Sequence, residues 1–249
     1  MDVDHGGAVK RAVVLVALVA LFVPSASIGA GPITVFAAAS LTGVFPQIDR
    51  TPRYSFLGSD QLALQLQQGA PADVYAAASP KYPELLYHQG VVRKPVTFAT
   101  NKLVVIVPRS NPAHISSVYD LRRSGLRVVI GDKSVPIGSY TRQILDALGI
   151  TVDVTKNVVS QETDVKGIVA KVALGEADAG FVYVTDARPV AGKVRVVPLP
   201  GWAQPPIRYE LAVVKPSAAA TAFVKKVLSK RGRTLLQRAG FGVPPLKKK

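Results

Sequence analysis

DQLALQLQQGAPADVYAAAS, residues 60–79, decides the fold, because it joins an amphipathic helix to a strand through one short turn. Leu62 and Leu66 stand four residues apart on one face of the predicted helix, and Gly69 gives the helix a C-terminal stop. The strand that follows, residues 72–79, is entered through an Ala-Asp pair. This stretch therefore predicts a helix and a strand packed together in a mixed α/β protein.

The same arrangement of helix, glycine, Ala-Asp and strand occurs a second time in LGEADAGFVYVTD, residues 174–186. In this second copy, Gly175 corresponds to Gly69 and Asp178 corresponds to Asp73. Two interpretations stay open at this point. The repeat is either a coincidence between two ordinary turns or the sign of two similar lobes, each offering helix N-termini to a shared cleft.

Strands and amphipathic helices alternate through the rest of the chain. Apolar, β-branched runs predict further strands over residues 33–40, 102–108, 127–132, 179–186 and 209–215. Apolar spacings of three and four predict helices over residues 138–149, 164–175 and, as a basic helix interrupted near Gly232, 221–241. Such alternation predicts an α/β protein with largely parallel sheets.

The N-terminal segment has the features of a secretory signal peptide. Two basic residues precede the apolar run 12–23, and a proline and small residues follow it. The alternative is a transmembrane anchor, but a spanning helix needs about 20 apolar residues and this run is shorter. We therefore predict a signal peptide over residues 1–30, cleaved after Ala30 or alternatively after Ser27, and a periplasmic or secreted protein.

Composition narrows the classes of function. The chain of 249 residues has no cysteine, which excludes disulfides, thiol catalysis and a lipid-modified N-terminal cysteine. The formal net charge of +15 allows nucleic-acid binding, adhesion to an anionic envelope or electrostatic steering of an anion. Apart from the tail Lys247–Lys249 the positive charges are scattered, and only 7% of the residues are aromatic. We favour a solubilising surface that also attracts anions, and we expect no nucleic-acid partner.

Catalytic patterns are missing from the sequence. His5 lies in the predicted signal peptide, and His88 and His114 have no acidic or histidine neighbour at ligand spacing. No nucleophile elbow, phosphate-binding glycine loop or metalloprotease helix is present. A serine hydrolase that used Ser40 or Ser59 would lack a candidate histidine. We therefore expect a protein that is not an enzyme, holds no cofactor and binds no metal cation directly.

Small hydroxyl residues stand where predicted strands give way to helices. Ser40 ends the strand 33–40, and Ser59 precedes the helix that begins near Asp60. Serine at such a place is commonly an N-cap, whose side chain accepts a hydrogen bond from a free helix N–H. A helix N-terminus also binds anions, because its free N–H groups and its dipole both point at the ligand. Two such serines fit an oxyanion held between lobes.

Four segments carry a family resemblance, in the family's order and spread over the whole predicted mature chain. They are FAAASLTGVF (36–45), GSDQLALQLQQGAPADVYAAAS (58–79), DKSVPIGSYTRQIL (132–145) and ETDVKGIVAKVALGEADAGFVYVTDA (162–187). Together they resemble the periplasmic molybdate-binding proteins of ABC importers. The resemblance implies a two-lobed, type II periplasmic-binding-protein fold, in which each lobe is a mixed sheet flanked by helices. Residues 31–103 and 212–249 would form the first lobe, and residues 104–211 the second.

The resemblance also implies five ligand contacts. Ser40 and Ser59 would donate from hydroxyl and backbone N–H groups, Ile137 and Val165 from backbone N–H groups, and Tyr183 from its phenolic hydroxyl. The family pattern has alanine where Ile137 stands, so a larger side chain is expected to reshape the pocket. Without the resemblance, Ile137 and Val165 would be interpreted as core residues, and Tyr183 as a half-buried strand tyrosine.

Neutral donors of this kind suit a dianion that carries no proton. A hydrogen bond to a charged group is worth about 1.5–3 kcal/mol, whereas an unpaired buried donor costs roughly 1–3 kcal/mol. Molybdate and tungstate are fully deprotonated near neutral pH, whereas hydrogen phosphate would bring a proton to a site without an acceptor. The expected ligand is therefore molybdate or tungstate, delivered by a monomer to the membrane permease of an ABC importer. The alternatives are another oxyanion such as sulfate, a sensor domain, or a basic surface protein that binds nucleic acid.

Overall fold

The computed structural model describes residue 1 and residues 31–245. The predicted signal peptide and the lysine tail lie outside these residues. None of the helices within 31–245 combines the length and the apolar character that a membrane-crossing helix requires.

The strands of the described chain form two five-stranded sheets. The strands are β1 (Thr34–Ala38), β2 (Arg53–Leu57), β3 (Val74–Ala77), β4 (Val96–Asn101), β5 (Leu103–Pro108), β6 (Val128–Gly131), β7 (Val158–Glu162), β8 (Ala179–Tyr183), β9 (Val194–Val197) and β10 (Ile207–Val213). The first sheet has the order β2-β1-β3-β10-β4 and the second the order β7-β6-β8-β5-β9. Central strands such as β5 and β6 are buried along their whole length, which explains their continuous apolar sequences.

Helices cover these sheets. They are α1 (Phe45–Ile48), α2 (Ser59–Gln67), α3 (Lys81–His88), α4 (Pro136–Ala147), α5 (Thr151–Lys156), α6 (Val165–Ala173), α7 (Val184–Ala187), α8 (Ala218–Leu228) and α9 (Lys230–Ala239). Helix α6 buries Val165, Ile168, Val169 and Val172, the apolar positions whose spacing predicted a docked helix. The predicted α/β class, with a mixed sheet flanked by helices in each lobe, is confirmed.

The two sheets have the same plan. In each, three strands pair in parallel, and the fourth pairs antiparallel and comes from the other half of the chain. The chain crosses from the first sheet to the second between Asn101 and Leu103 and returns between Val197 and Ile207. We propose lobe boundaries that follow these crossings. Residues 207–211 then belong to the first lobe, because β10 pairs with β3 and β4.

The repeated Ala-Asp pairs occupy equivalent places in the two sheets. Asp73 accepts a hydrogen bond of 2.8 Å from the backbone N–H of Thr34, at the start of β1. Asp178 accepts one of 2.8 Å from the backbone N–H of Arg127, directly before β6. Each aspartate therefore fixes the start of the neighbouring parallel strand. The repeat is a feature of the architecture and not a coincidence.

In three of the predicted elements, part of the predicted range belongs to another element or to a break. The first strand stops at Ala38, and a 3-10 turn, Ala39–Leu41, follows it. The strand predicted over 179–186 stops at Tyr183, where the short helix α7 begins. The C-terminal helix is broken at Ser229 rather than near Gly232, because the extended backbone of Ser229 ends α8 and its hydroxyl caps α9.

Candidate anion-binding site

The carboxyl ends of the parallel strands of both sheets face one cleft. After β1 comes the turn that holds Ser40, and after β2 comes Ser59 as the first residue of α2. In the second lobe, Ile137 lies in the first turn of α4 after β6, and Val165 begins α6 after β7. Tyr183 is the last residue of β8. Ligands of open α/β sheets bind at such edges, because helix N-termini collect there.

All five predicted contacts line a single cavity between the lobes. Its walls are formed by Ala38, Ala39, Ser40, Leu57, Gly58, Ser59, Ala78, Val135, Pro136, Ile137, Asp164, Val165 and Tyr183. The cavity has a volume of about 10 Å³. A space of that size holds one water or a similarly compact group. The cavity therefore leaves no room for a large organic ligand.

Three helices point their N-termini into this cavity. Ser59 and Val165 are the first residues of α2 and α6, and Ile137 is the second residue of α4. The N–H groups in the first turn of a helix have no partner within that helix. They carry the positive end of the helix dipole, so together they favour an anion.

Asp164 sets up the N-terminus of α6. Its carboxylate oxygen Oδ1 accepts hydrogen bonds from the backbone N–H groups of Lys166, at 2.7 Å, and Gly167, at 3.2 Å. This N-cap takes up the N–H groups of the second and third residues of α6. The N–H group of Val165 is left for a ligand.

Residue 137 is isoleucine where the family pattern has alanine, and it still forms part of the cavity wall. A methyl group of the Ile137 side chain lies 2.7 Å from where a Cβ would stand on Gly131, so the added volume packs against the end of β6. The side chain is buried, with 1% of its surface exposed, while the residue still lines the cavity. The side chain of Ile137 is therefore a core residue, while the residue also forms part of the cavity wall.

The Ser59 hydroxyl is held as a hydrogen-bond donor. Its oxygen accepts a hydrogen bond of 3.1 Å from the backbone N–H of Ala78, and the serine is 1% exposed. A hydroxyl that already accepts one hydrogen bond has its own proton free to donate. The backbone carbonyl of Ser59 accepts a 2.6 Å bond from Tyr75, which fixes the start of α2.

A buried polar chain orients Ser40 in the same way. The side-chain amide of Asn101 donates to Thr185, at 3.0 Å, and to the hydroxyl oxygen of Tyr209, at 3.4 Å. The amide is held in this orientation because its oxygen accepts from the backbone N–H of Lys102. The Tyr209 oxygen lies 2.9 Å from the Ser40 oxygen, and either hydroxyl can donate this hydrogen bond. When Tyr209 donates, the Ser40 proton is free for the cavity.

Tyr183 brings a buried hydroxyl to the same cavity. Only 1% of the residue is exposed, and its hydroxyl has no hydrogen-bond partner among the described residues. Burial, with smaller contributions from Tyr209, Tyr140 and Asp186, holds the pKa of Tyr183 well above its ordinary value. The group is therefore a permanent donor without an acceptor, a condition that costs stability unless a ligand accepts from it.

Few charged side chains line the cavity. No lysine or arginine stands among the residues that line it, and its one ionisable carboxylate, Asp164, faces the N-terminus of α6. An anion there would be held by dipoles and hydrogen bonds and not by an ion pair. Among residues 31–245, no three histidine or acidic side chains are grouped so that they could hold a metal ion.

Hydrogen bonds and close packing join the two lobes beside the cavity. The Ser134 hydroxyl of the second lobe donates to Asp60 at 2.8 Å, and its carbonyl accepts from Tyr82 at 2.6 Å. Gly58 lies against the second lobe so closely that a Cβ there would stand 2.4 Å from the carbonyl oxygen of Thr163. The cleft is therefore closed around the cavity.

Sequence reasoning missed the residues that prepare the site. Asn101 and Tyr209 sit in ordinary strands, and Gly58 looks like a plain helix-preceding glycine. Their roles depend on atoms from the opposite lobe or from distant strands, as in the pair Ser40–Tyr209, 169 residues apart. The Asp164 cap had a local signal, because an aspartate directly before an apolar helical pattern predicts an N-cap.

Comparisons with known proteins agree with this fold. A family model described as bacterial extracellular solute-binding protein matches residues 33–242. The molybdate-binding protein ModA of Mycobacterium tuberculosis (strain H37Rv) is 42% identical over 229 residues, 87% of this chain and 86% of that protein. ModA of Escherichia coli is 31% identical and covers 86% of this chain and 90% of its own. The solved periplasmic molybdate-binding protein of Azotobacter vinelandii has the same fold, with a TM-score of 0.77, 24% identity and coverage of 86% and 100%.

Proposed function

The chain belongs to the bacterial extracellular solute-binding proteins, within the group that includes the ModA molybdate-binding proteins, and we propose that it captures molybdate for import. Its family is one of binding proteins and not of enzymes. The observation that carries the proposal is the convergence of uncharged donors from both lobes on one small, closed cavity. The family resemblance noted in the sequence is confirmed.

The five proposed ligand contacts are Ser40, Ser59, Ile137, Val165 and Tyr183. Two lobes contribute to the set, so full contact with the anion requires lobe closure. With a hydrogen bond to an anion worth about 1.5–3 kcal/mol, a handful of these contacts supports tight capture. The binding energy gained across the cleft also stabilises the closed form that a permease would receive.

The same set of donors should discriminate between dianions that carry a proton and dianions that do not. Hydrogen phosphate would bring a proton to a cavity lined mainly by donors, where Oδ1 of Asp164 and the Ser59 oxygen already accept hydrogen bonds. Molybdate and tungstate carry no proton near neutral pH and meet no such mismatch. We propose that both are ligands, and that a membrane permease of the ABC type is the partner.

A ligand-specific rise in melting temperature is the first expected result. Micromolar molybdate should raise the melting temperature of the purified protein, because a ligand that binds only the native state stabilises it by mass action. Tungstate should act similarly, and sulfate and phosphate far less. Titration calorimetry with the four anions gives the affinities. Binding of sulfate as tight as that of molybdate would overturn the assignment, and tight, steeply salt-dependent DNA binding would favour a nucleic-acid function.

Replacing Ser59 with alanine should weaken molybdate binding by about tenfold or more, the loss of one hydrogen bond to a charged group. Replacing Ser40 should have a similar effect. Ser217→Ala is the matched control, because Ser217 caps α8 with a 3.0 Å hydrogen bond and does not line the cavity. The control should lose about 1 kcal/mol of stability and keep its affinity. Unchanged affinity in both site variants would refute the assignment of these serines.

Export and quaternary state complete the proposal. We propose that residues 1–30 are removed on export and that the exported protein is a monomer without affinity for nucleic acid. N-terminal sequencing of the exported protein identifies the first mature residue, expected to be Gly31. Sedimentation analysis with and without molybdate measures the mass of the particle, and a stable dimer in either state would contradict the monomer.

A further inference from the structure

The net positive charge of the chain is concentrated towards its C-terminal end. After Glu210, the last acidic residue, the remaining 39 residues hold ten lysines and arginines and no aspartate or glutamate. The net charge of the whole chain is +15, so this segment supplies most of it. Charge was expected to be scattered apart from the lysine tail, and that expectation is wrong for the segment.

Helix α9 presents part of this charge on one face. A surface groove of about 570 Å³ runs along the helix and is lined by Lys230, Arg231, Thr234, Leu235 and Arg238. Their spacing, i, i+1, i+4, i+5 and i+8, places them on one side of the helix. The three cations are exposed, whereas Leu235 is half-buried beneath them.

The cations of this face have no acidic partners within residues 31–245. Among the described residues, the segment makes one ion pair, between Lys226 of α8 and Asp49, at 2.6 Å. Lys230, Arg231 and Arg238 form none. Lys225, at the end of α8, is also exposed and without an acidic partner in the described chain. Four cations thus stand close in sequence on two consecutive helices without internal neutralisation.

We propose that the face formed by Lys230, Arg231 and Arg238 docks on an anionic membrane surface through lipid phosphates. The groove is much larger than the ligand cavity and its cations are exposed, so it matches an extended surface better than a single small ion. Guanidinium groups bind phosphate oxygens in pairs. Each lysine or arginine of a polybasic face strengthens its electrostatic attraction to an anionic bilayer. A neutral bilayer offers no such attraction. Docking is independent of the ligand in the cleft.

Vesicle binding tests this docking. Wild-type protein recovered after export is sedimented with phosphatidylcholine vesicles and with vesicles of equal parts phosphatidylcholine and phosphatidylglycerol, over a series of salt concentrations. It should bind the anionic vesicles and not the neutral ones, and it should be released by salt. The variant K230Q/R231Q/R238Q should bind the anionic vesicles about a hundredfold more weakly, because the loss of each cation weakens binding by about fivefold.

A control variant of equal charge separates this face from net charge alone. K156Q/K193Q/R195Q removes three exposed cations of the second lobe that form no ion pair in the described chain. It should keep most of its vesicle binding, and both variants should keep the molybdate-induced rise in melting temperature. Equal losses in the two variants would overturn the proposal. Binding to soluble polyphosphate without binding to anionic vesicles would overturn it as well.

Discussion

Replacing Gly58 with alanine is expected to weaken molybdate binding by more than about a hundredfold, or more than about 2.7 kcal/mol. A Cβ at this position would stand 2.4 Å from the backbone carbonyl oxygen of Thr163 in the other lobe. That oxygen is part of the main chain and cannot rotate away, so the lobes would have to stay apart. Several hydrogen bonds from the second lobe, each worth about 1.5–3 kcal/mol with an anion, would then be lost or lengthened.

The folding of the ligand-free Gly58→Ala variant should be nearly normal. Gly58 has φ −57° and ψ 140°, a conformation that alanine adopts readily. Its free energy of unfolding should therefore lie within about 1 kcal/mol of the wild type. Gly192→Ala is the control, because a Cβ at Gly192 meets no atom within 4 Å. Calorimetry and denaturant unfolding measure the two quantities, and an unchanged affinity would refute closure as the basis of binding.

Replacing Tyr183 with phenylalanine should change affinity and stability in opposite directions. The variant loses a hydrogen bond to the anion, so molybdate should bind about ten- to a hundredfold more weakly. It also removes a buried hydroxyl that has no partner among the described residues. The ligand-free protein should consequently be as stable as the wild type or more stable, because an unpaired buried polar group costs roughly 1–3 kcal/mol.

Tyr54→Phe provides the contrasting control. The Tyr54 hydroxyl donates a 2.6 Å hydrogen bond to the carbonyl of Asp49, away from the cavity. Its loss should lower the free energy of unfolding by about 1 kcal/mol and leave the affinity for molybdate unchanged. Calorimetry and thermal unfolding of both variants give the comparison. If Tyr183→Phe lowered stability and kept full affinity, Tyr183 would be a structural residue and not a ligand contact.

The pKa of Tyr183 adds an expectation about pH. Burial raises this pKa well above its ordinary value, so the hydroxyl stays protonated throughout the neutral and mildly alkaline range. The contribution of this donor to affinity should therefore stay constant as the pH rises from 7 to about 9, the range below the usual tyrosine pKa of about 10.

Much of the fold followed from local patterns. The helices α2, α4 and α6 and the buried strands β1, β3, β5, β6, β8 and β10 were all predicted, because their apolar residues keep a clear period of 3.6 or form continuous runs. Strands β2, β4, β7 and β9 were not predicted. They are the edge strands of the two sheets and are partly exposed, and in β7 half-buried residues alternate with exposed ones. Such strands are defined by pairing with a neighbour, which no local pattern records.

The proposed site residues also fall into two groups, those that the sequence indicated by itself and those that only the family resemblance indicated. The places of Ser40 and Ser59 between strands and helices pointed to an anion site by physical reasoning alone. Ile137 and Val165 came only from the family resemblance, because a backbone N–H group leaves no mark on the identity of its own side chain. Their side chains are core residues, which is what an isolated interpretation of the sequence predicts.

The amino-acid sequence by itself determined the α/β class, the repeated pattern of helix, glycine, Ala-Asp and strand, and the presence of helix N-termini after strands, because each depends on residues within a few turns of one another. Only the tertiary structure decided that five donors meet in one cavity, that the chain from Asn101 through Tyr209 orients Ser40, and that Gly58 must be small. These features arise between residues that are distant along the chain. Their atoms meet only after two sheets have formed and closed on each other, so no local pattern can encode them.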